Sequence, residues 1–123
     1  AHEYARIVGA AVTAAVVDEA GALIAVGRMD KAEPLSAELA LSKACTAAAF
    51  HAATSELVAD ARAPWLRSVM IARRGQILAA AGAVPIINGV PIVGAIGVAG
   101  ASRTEQDVLC CRAALAVLEH GGH

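Results

Sequence analysis

Aromatic side chains are nearly absent: the 123 residues include one Trp, one Tyr and one Phe, 2% of the chain. Neither sign of charge dominates either, with 10 Lys and Arg against 11 Asp and Glu. A nucleic-acid partner asks for a basic stripe with stacking rings beside it, and the chain has neither, so no nucleic-acid partner is expected. No uninterrupted apolar run reaches the roughly 18 residues that a membrane span needs. The stretch 92–101 is apolar but short and broken by glycines, so no membrane partner is expected. No signal peptide is visible at Ala1, and the missing initiator Met points to a processed or trimmed start. The three cysteines, Cys45, Cys110 and Cys111, form an odd set with an adjacent pair, a poor disulfide framework. They read as small buried hydrophobes in a reducing cytoplasm. His2, His51, His120 and His123 lack zinc-type spacing with a cysteine, and no metal site is expected. Walker, nucleophile-elbow and dinucleotide motifs are missing too.

What is present is small and apolar. Hydrophobic residues, mostly Ala, Val, Ile and Leu, make up 58% of the chain, and the mean hydropathy of +0.61 argues against disorder. The length suits one domain, 1–123, with a single core. Small side chains let backbones approach closely but bury little area per residue. Part of the apolar surface is therefore expected to be covered by further copies of the chain, a homo-oligomer.

Along the chain, 1–10 reads as the tail of a helix. Val12 to Asp18 and Ala22 to Arg28 read as two strands of a hairpin, joined by turn residues from Asp18 to Gly21. Ser36 to Phe50 reads as a helix capped by Ser36, with Ala40, Ala44, Ala47 and Ala48 forming a face that can press on a sheet. Thr54 is expected to cap a short helix to about Asp60, which Pro64 ends. Ser68–Ala72 and Ile77–Ala81 read as paired strands around Arg73-Arg74-Gly75-Gln76. Asn88-Gly89 is the best hairpin signal, because both residue types tolerate positive φ. Ile92 to Val98 reads as a buried strand whose Gly94 and Gly97 suggest close approach of another backbone or a ligand. Thr104 and Asp107 resemble a capping box opening a last helix to about His120, with Val108, Leu115 and Leu118 near one face. Consecutive hairpins with helices between them predict an α/β domain of the layered α+β kind, built on an antiparallel sheet.

Several residues invite a functional reading beside a plain one. Arg28 and Asp30 at a strand end can line a pocket, or neutralise each other in solvent. Lys43, Thr46 and Phe50 fall along one helix face and could hold an anionic planar ligand through an ammonium, a hydroxyl and a ring. The plain alternative leaves Lys43 in solvent and Phe50 in the core. His51 could be an axial haem ligand, or an exposed histidine at a helix end. Glu105 and Asp107 favour the positive end of the helix dipole, and either could move a proton if buried. Gly82-Ala83-Val84-Pro85 could bring backbone amides to a ligand. The residues alone support a layered domain with a small-molecule pocket and name no chemistry.

An ordered set of segments goes further. Ala15-Val16-Val17-Asp18, Gly21-Ala22-Leu23 and Arg28-Met29-Asp30 come first. Lys43-Ala44, Thr46-Ala47-Ala48, Phe50 and Thr54-Ser55-Glu56-Leu57 follow. Val84-Pro85-Ile86, the run from Val93 to Val98, Gly100 and Gln106-Asp107 complete it. Together, over nearly the whole chain, they resemble the GlcG/HbpS-like family. The resemblance implies a five-stranded antiparallel sheet flanked by helices, similar to PAS or profilin architecture, assembled into oligomers. It implies haem or iron binding in some members, and for others a place among genes of small-molecule catabolism. Arg28, Asp30, Lys43, Thr46, Phe50, Pro85, Gln106 and Asp107 are the motif positions it marks. The first helix here meets Val12 almost directly where members often have a longer lead-in, and Ala83 replaces one of two glycines common before the Pro loop. The expectation is a small-molecule-binding domain taking haem or a related ligand. The alternative is an enzyme on a small carboxylate or carbonyl compound, with Lys43 and an acidic residue, Asp107 or Glu105, as its polar groups.

Overall fold

The structure is a computed structural model that describes residues 1–60, 62–74, 76–89, 91–101 and 104–121, without the side chains of residues 60, 104 and 118–121. Helix α1 (His2–Val8) leads into strands β1 (Thr13–Asp18) and β2 (Leu23–Arg28). Then come α2 (Leu35–Phe50), the short α3 (Thr54–Leu57) with a 3-10 turn (Val58–Asp60), and α4 (Pro64–Ala72). Strands β3 (Ala83–Ile87) and β4 (Ile92–Ala99) and helix α5 (Thr104–Gly121) complete the chain. The sheet is antiparallel in the order β2-β1-β4-β3, so each hairpin contributes one central and one edge strand.

Local chemistry sets both hairpins. The Asp18 carboxylate accepts the amides of Ala20 and Ala22, each at 2.9 Å, and Gly21 turns the chain at φ 85°. In the second hairpin Gly89 takes φ 72°, and the Asn88 amide donates to the Pro91 carbonyl. One extra residue bulges each pair, at Ile24 in β2 and at Val93 in β4.

Alternation along β1 gives the sheet two faces. Ala15 and Val17 pack with Ala95 and Ala99 of β4 against Ala40, Ala44, Ala47 and Ala48 of α2, all buried. The expected alanine face is there, and it brings backbones together. A Cβ on Gly97 would lie 2.2 Å from the Ala40 carbonyl oxygen; within the sheet, one on Gly94 would lie 2.3 Å from that of Val17 in the neighbouring β1. On the opposite face Val12, Ile96 and Val98 meet Ala5 of α1 and Cys110 and Cys111 of α5. The cysteines are unpaired, and the two on α5 are buried, as expected of small hydrophobes. Burial pushes the Cys111 thiol up to about 12. The buried centre of the inward face of α5 is Asp107, Cys110 and Cys111, with half-buried Ala114 packed against the core; Val108 and Leu115 are also half-buried, and the Leu118 side chain lies outside the described residues.

The chain between α3 and β3 differs most from expectation. Residues 68–72 are helical and 77–81 pair with no strand among the described residues, so the sheet has four strands rather than five. Pro64 begins α4 at its first turn instead of ending the preceding helix, since proline lacks only an amide that a helix start leaves unbonded anyway. Residues 77–81 hang on α2: Ile77 is buried, and the Leu78 amide donates to the Thr46 hydroxyl at 2.7 Å. Two expected caps also do other work. The Ser36 hydroxyl donates to the Glu33 carbonyl, which leaves the Thr13 hydroxyl to donate to Ser36 at 2.6 Å and fasten α2 to β1. Thr54 is the first residue of α3, and its hydroxyl accepts the Ala83 amide at 3.0 Å, tying that helix to β3.

Candidate functional site

Lys43 projects from the middle of α2 toward the start of α5. Its Nζ donates to Asp107 Oδ2 at 3.2 Å and to the Val98 carbonyl at 3.1 Å. Both side chains are 7% exposed. The other Asp107 oxygen accepts the Ala101 amide at 3.0 Å, so the carboxylate serves both the strand-to-helix turn and the lysine. Gly82 closes the cluster. Its carbonyl accepts the Val98 amide at 2.8 Å, and its φ of 128° lets its backbone lie where a side chain would strike the Val98 oxygen at 2.7 Å and Lys43 Nζ at 3.0 Å. Of the two glycines common in this loop, Gly82 is the one that must stay glycine. Ala83 sits buried at the start of β3 without positive φ.

The remaining expected residues scatter around that pair. Thr46, one turn from Lys43, is fully buried, donates to the Ser42 carbonyl and accepts the Leu78 amide. Phe50 turns to Trp65 of α4, edge to face with ring centres 6.0 Å apart. His51 caps α2 in the left-handed conformation, φ 55°, and is exposed. Pro85 is half-buried in the edge strand β3, where a missing amide donor is tolerated. In the first turn of α5 Gln106 is half-buried and Glu105 exposed. Arg28 and Asp30 are exposed at the far end of β2, and the Arg28 guanidinium donates to the Ala32 carbonyl at 3.3 Å. The structure therefore joins Lys43 to Asp107, keeps Thr46 nearby, and puts Arg28 and Asp30 elsewhere.

Open space lies away from the Lys43–Asp107 pair. A groove of about 620 Å³ runs over β1 and β2 on the face that α1 and α5 only partly cover. Its floor is Ala14, Val16, Ala25, Gly27 and Ile96, and its walls include His2, Ala114 and Val117. His2 Nε2 lies 2.8 Å from the Gly27 carbonyl. A carbonyl cannot donate, so Nε2 carries the proton and, in the neutral ring, Nδ1 keeps its lone pair. A second hollow of about 410 Å³ adjoins at His2 and is lined by Arg6, Arg28, Asp30 and Lys31. A third of about 420 Å³, on the α2 side, lies between the first hairpin turn and the end of α4, with Cys45, Arg73 and Gln76 around it. Burial raises the Cys45 thiol, and the nearby Arg73 charge only partly offsets this. Sequence reasoning gives His2, Arg6 and Lys31 no part. The signal for them is indirect: small residues at Ala14 and Gly27, paired across the hairpin, and at Ala25, opposite Val16, leave room on one face of a sheet.

Fold and hollows together define an α+β domain whose antiparallel sheet is flanked by helices and keeps an open apolar groove. The chain belongs to the HbpS-like family: a family model described as haem-degrading protein HbpS-like matches residues 1–116. An uncharacterised 15.0 kDa protein of the dhaT-dhaS intergenic region of Citrobacter freundii is 34% identical over 102 residues, covering 81% of this chain and 70% of that protein. Among solved structures, the PduOC:heme complex is 30% identical with a TM-score of 0.87, over 98% of this chain and 88% of that one. A double mutant of HbpS from Streptomyces reticuli is 35% identical with a TM-score of 0.84, over 97% and 79%. The protein ORFY of Klebsiella pneumoniae is 28% identical with a TM-score of 0.90, over 97% and 82%.

Proposed function

We infer that this domain binds haem or a closely related planar ligand. The observation that carries the reading is the apolar groove over β1 and β2, about 620 Å³ in volume, within the roughly 300–1,000 Å³ usual for small-molecule sites. Its floor of small side chains suits a flat ligand better than a branched one. His2 is the one imidazole among the described residues lining it, and its Nδ1 is available to an iron while Nε2–H is anchored on Gly27. The resemblance to a protein solved with haem supports the same reading. When bound, haem would supply iron chemistry; the chain would supply an apolar floor, an imidazole and a wall against water.

The Lys43–Asp107 pair reads as a structural tie. Each partner is engaged by backbone as well as by the other, and neither side chain faces one of the hollows just described. Assembly follows from the sheet edges. Pro85 protects β3, whereas β2 exposes Leu23, Ile24 and Val26 on an unpaired edge, which favours a second copy of the chain beside β2.

The experiment is a spectroscopic titration of the protein with haem. The expected result is a new Soret band saturating at one haem per chain and altered in His2→Ala. A spectrum indistinguishable from free haem at stoichiometric concentrations overturns the reading.

A further inference from the structure

The two hollows that share His2 differ in character. On one side lies the apolar groove. On the other, past Gly27 and Arg28, lies the cleft with Arg6, Arg28 and Lys31 around it and Asp30 as the one carboxylate among its described lining residues. Glu3 pairs with Arg6 at 3.3 Å, but both are exposed, and such a pair yields readily to a competing anion. An apolar floor running into a cationic cleft is complementary to an amphipathic anion and to nothing uniformly apolar.

Resting on the haem reading, we propose that the groove and the cleft form one site with a fixed polarity. The flat apolar body of the ligand lies over Ala14, Val16 and Ala25, and its carboxylates point past His2 into the cleft, toward Arg28 and Lys31. Among the described residues the Arg28 guanidinium donates to the Ala32 carbonyl at 3.3 Å, and it has further N–H groups for a carboxylate. The ligand class is therefore a planar tetrapyrrole or similar ring system bearing carboxylates on one edge. Arg28, which the sequence marks without a role, sets its orientation. The site selects against rings whose acids are masked.

Two probes separate the halves of the site: haem, and haem dimethyl ester, which keeps the ring and iron but has no free carboxylate. Reversing two charges with Arg28→Glu and Lys31→Glu is expected to raise the haem Kd by about tenfold or more, while changing ester binding less than about twofold. Ala25→Trp, on an exposed strand, fills the groove and is expected to weaken both probes about tenfold. Arg73→Glu, on the other face of the sheet, should leave both unchanged, and circular dichroism checks that each variant is folded. Haem binding that ignores both the charge reversals and Ala25→Trp overturns this placement and leaves the haem reading standing. Failure of the unaltered protein to bind haem overturns both. If Ala25→Trp instead splits an oligomer of the haem-free protein and haem affinity is unmoved, the groove is covered by a second copy and the placement is wrong.

Discussion

The two faces of the sheet are built from the same small residues and end in opposite states. Beneath α2, Gly97 sits against the Ala40 backbone oxygen and the alanines of helix and strand interlock. On the other face, over β1 and β2, Ala14, Ala25 and Gly27 floor an open groove. The difference is where a helix lies. A small side chain closes space only if another backbone descends onto it, and α5 settles over β4 and β3, with α1 against α5, instead. Small residues therefore have two outcomes in this chain, close packing where a helix covers them and an open groove where none does.

The comparison breaks most sharply at the tie between α2 and α5. Asp107→Ala removes the partner of a buried ammonium, and the expected cost is about 3–5 kcal/mol, read from urea unfolding at pH 7. Lys43→Met with Asp107→Leu takes away both charges and is expected to recover most of that loss. A loss below about 1 kcal/mol for Asp107→Ala would show that the pair does not hold the filled face together.

Next in size is a paired test of the two faces by one kind of substitution. Gly97→Ala puts a methyl 2.2 Å from the Ala40 oxygen, where the backbone of α2 must move; overpacking of that kind costs about 1–3 kcal/mol. Gly27→Ala meets only His2 Cε1 at 3.0 Å, the end of a side chain that can shift, and is expected to cost under about 1 kcal/mol. Equal effects would erase the distinction between a closed and an open face.

How far the sequence reveals this arrangement depends on whether a signal is local. Asp18 to Gly21 and Asn88-Gly89 carry their turns in their own chemistry, and both hairpins form as expected. The alanine face of α2, from Ala40 to Ala48, spans a little over two turns and is equally legible. Ser68 to Ala72 is different. Four apolar residues after a serine fit strand or helix alike, and what decides is the helix that Pro64 starts, with Leu66 burying itself within its first turn. Residues 77–81 look like a strand, but the fate of the Leu78 amide is settled by Thr46, 32 residues away. The candidate site follows the same rule. Lys43 and Asp107 stand out as charged residues on helices, yet their union across 64 residues is a tertiary fact. The groove is made of what is absent above Ala14 and Ala25, and no residue announces an absence.

The cysteines of α5 offer a pH test of the covered part of the groove face. Burial raises the Cys111 thiol from its ordinary 9.0 to about 12, partly offset by a backbone hydrogen bond and by Lys43. The folded chain therefore keeps that proton while the unfolded chain gives it up. Stability is unaffected by this group below about pH 9 and declines as pH rises from about 9 to 12, by on the order of 1 kcal/mol at pH 10. Unfolding midpoints of the unaltered protein and Cys111→Ala, compared at pH 7 and pH 10, are expected to converge at the higher pH. A difference that stays constant would mean the thiol is in contact with water.

The smallest expected effect on stability belongs to β2, and it carries information because it is small. Ile24 bulges from the edge strand and is 63% exposed, so Ile24→Lys removes little packing within the chain. Unfolding measured at a concentration where the chain is monomeric is expected to change by under about 0.5 kcal/mol. Assembly responds differently. An edge strand without proline, whose one charge is Arg28 at its end, is a template for a second strand, and a lysine in its middle is the usual defence against pairing. Sedimentation of Ile24→Lys is expected to show a smaller species than the unaltered protein at the same concentration. The same sedimentation profile for both would mean that β2 faces water, and the contrast between a proline-guarded β3 and an open β2 would carry no consequence for assembly.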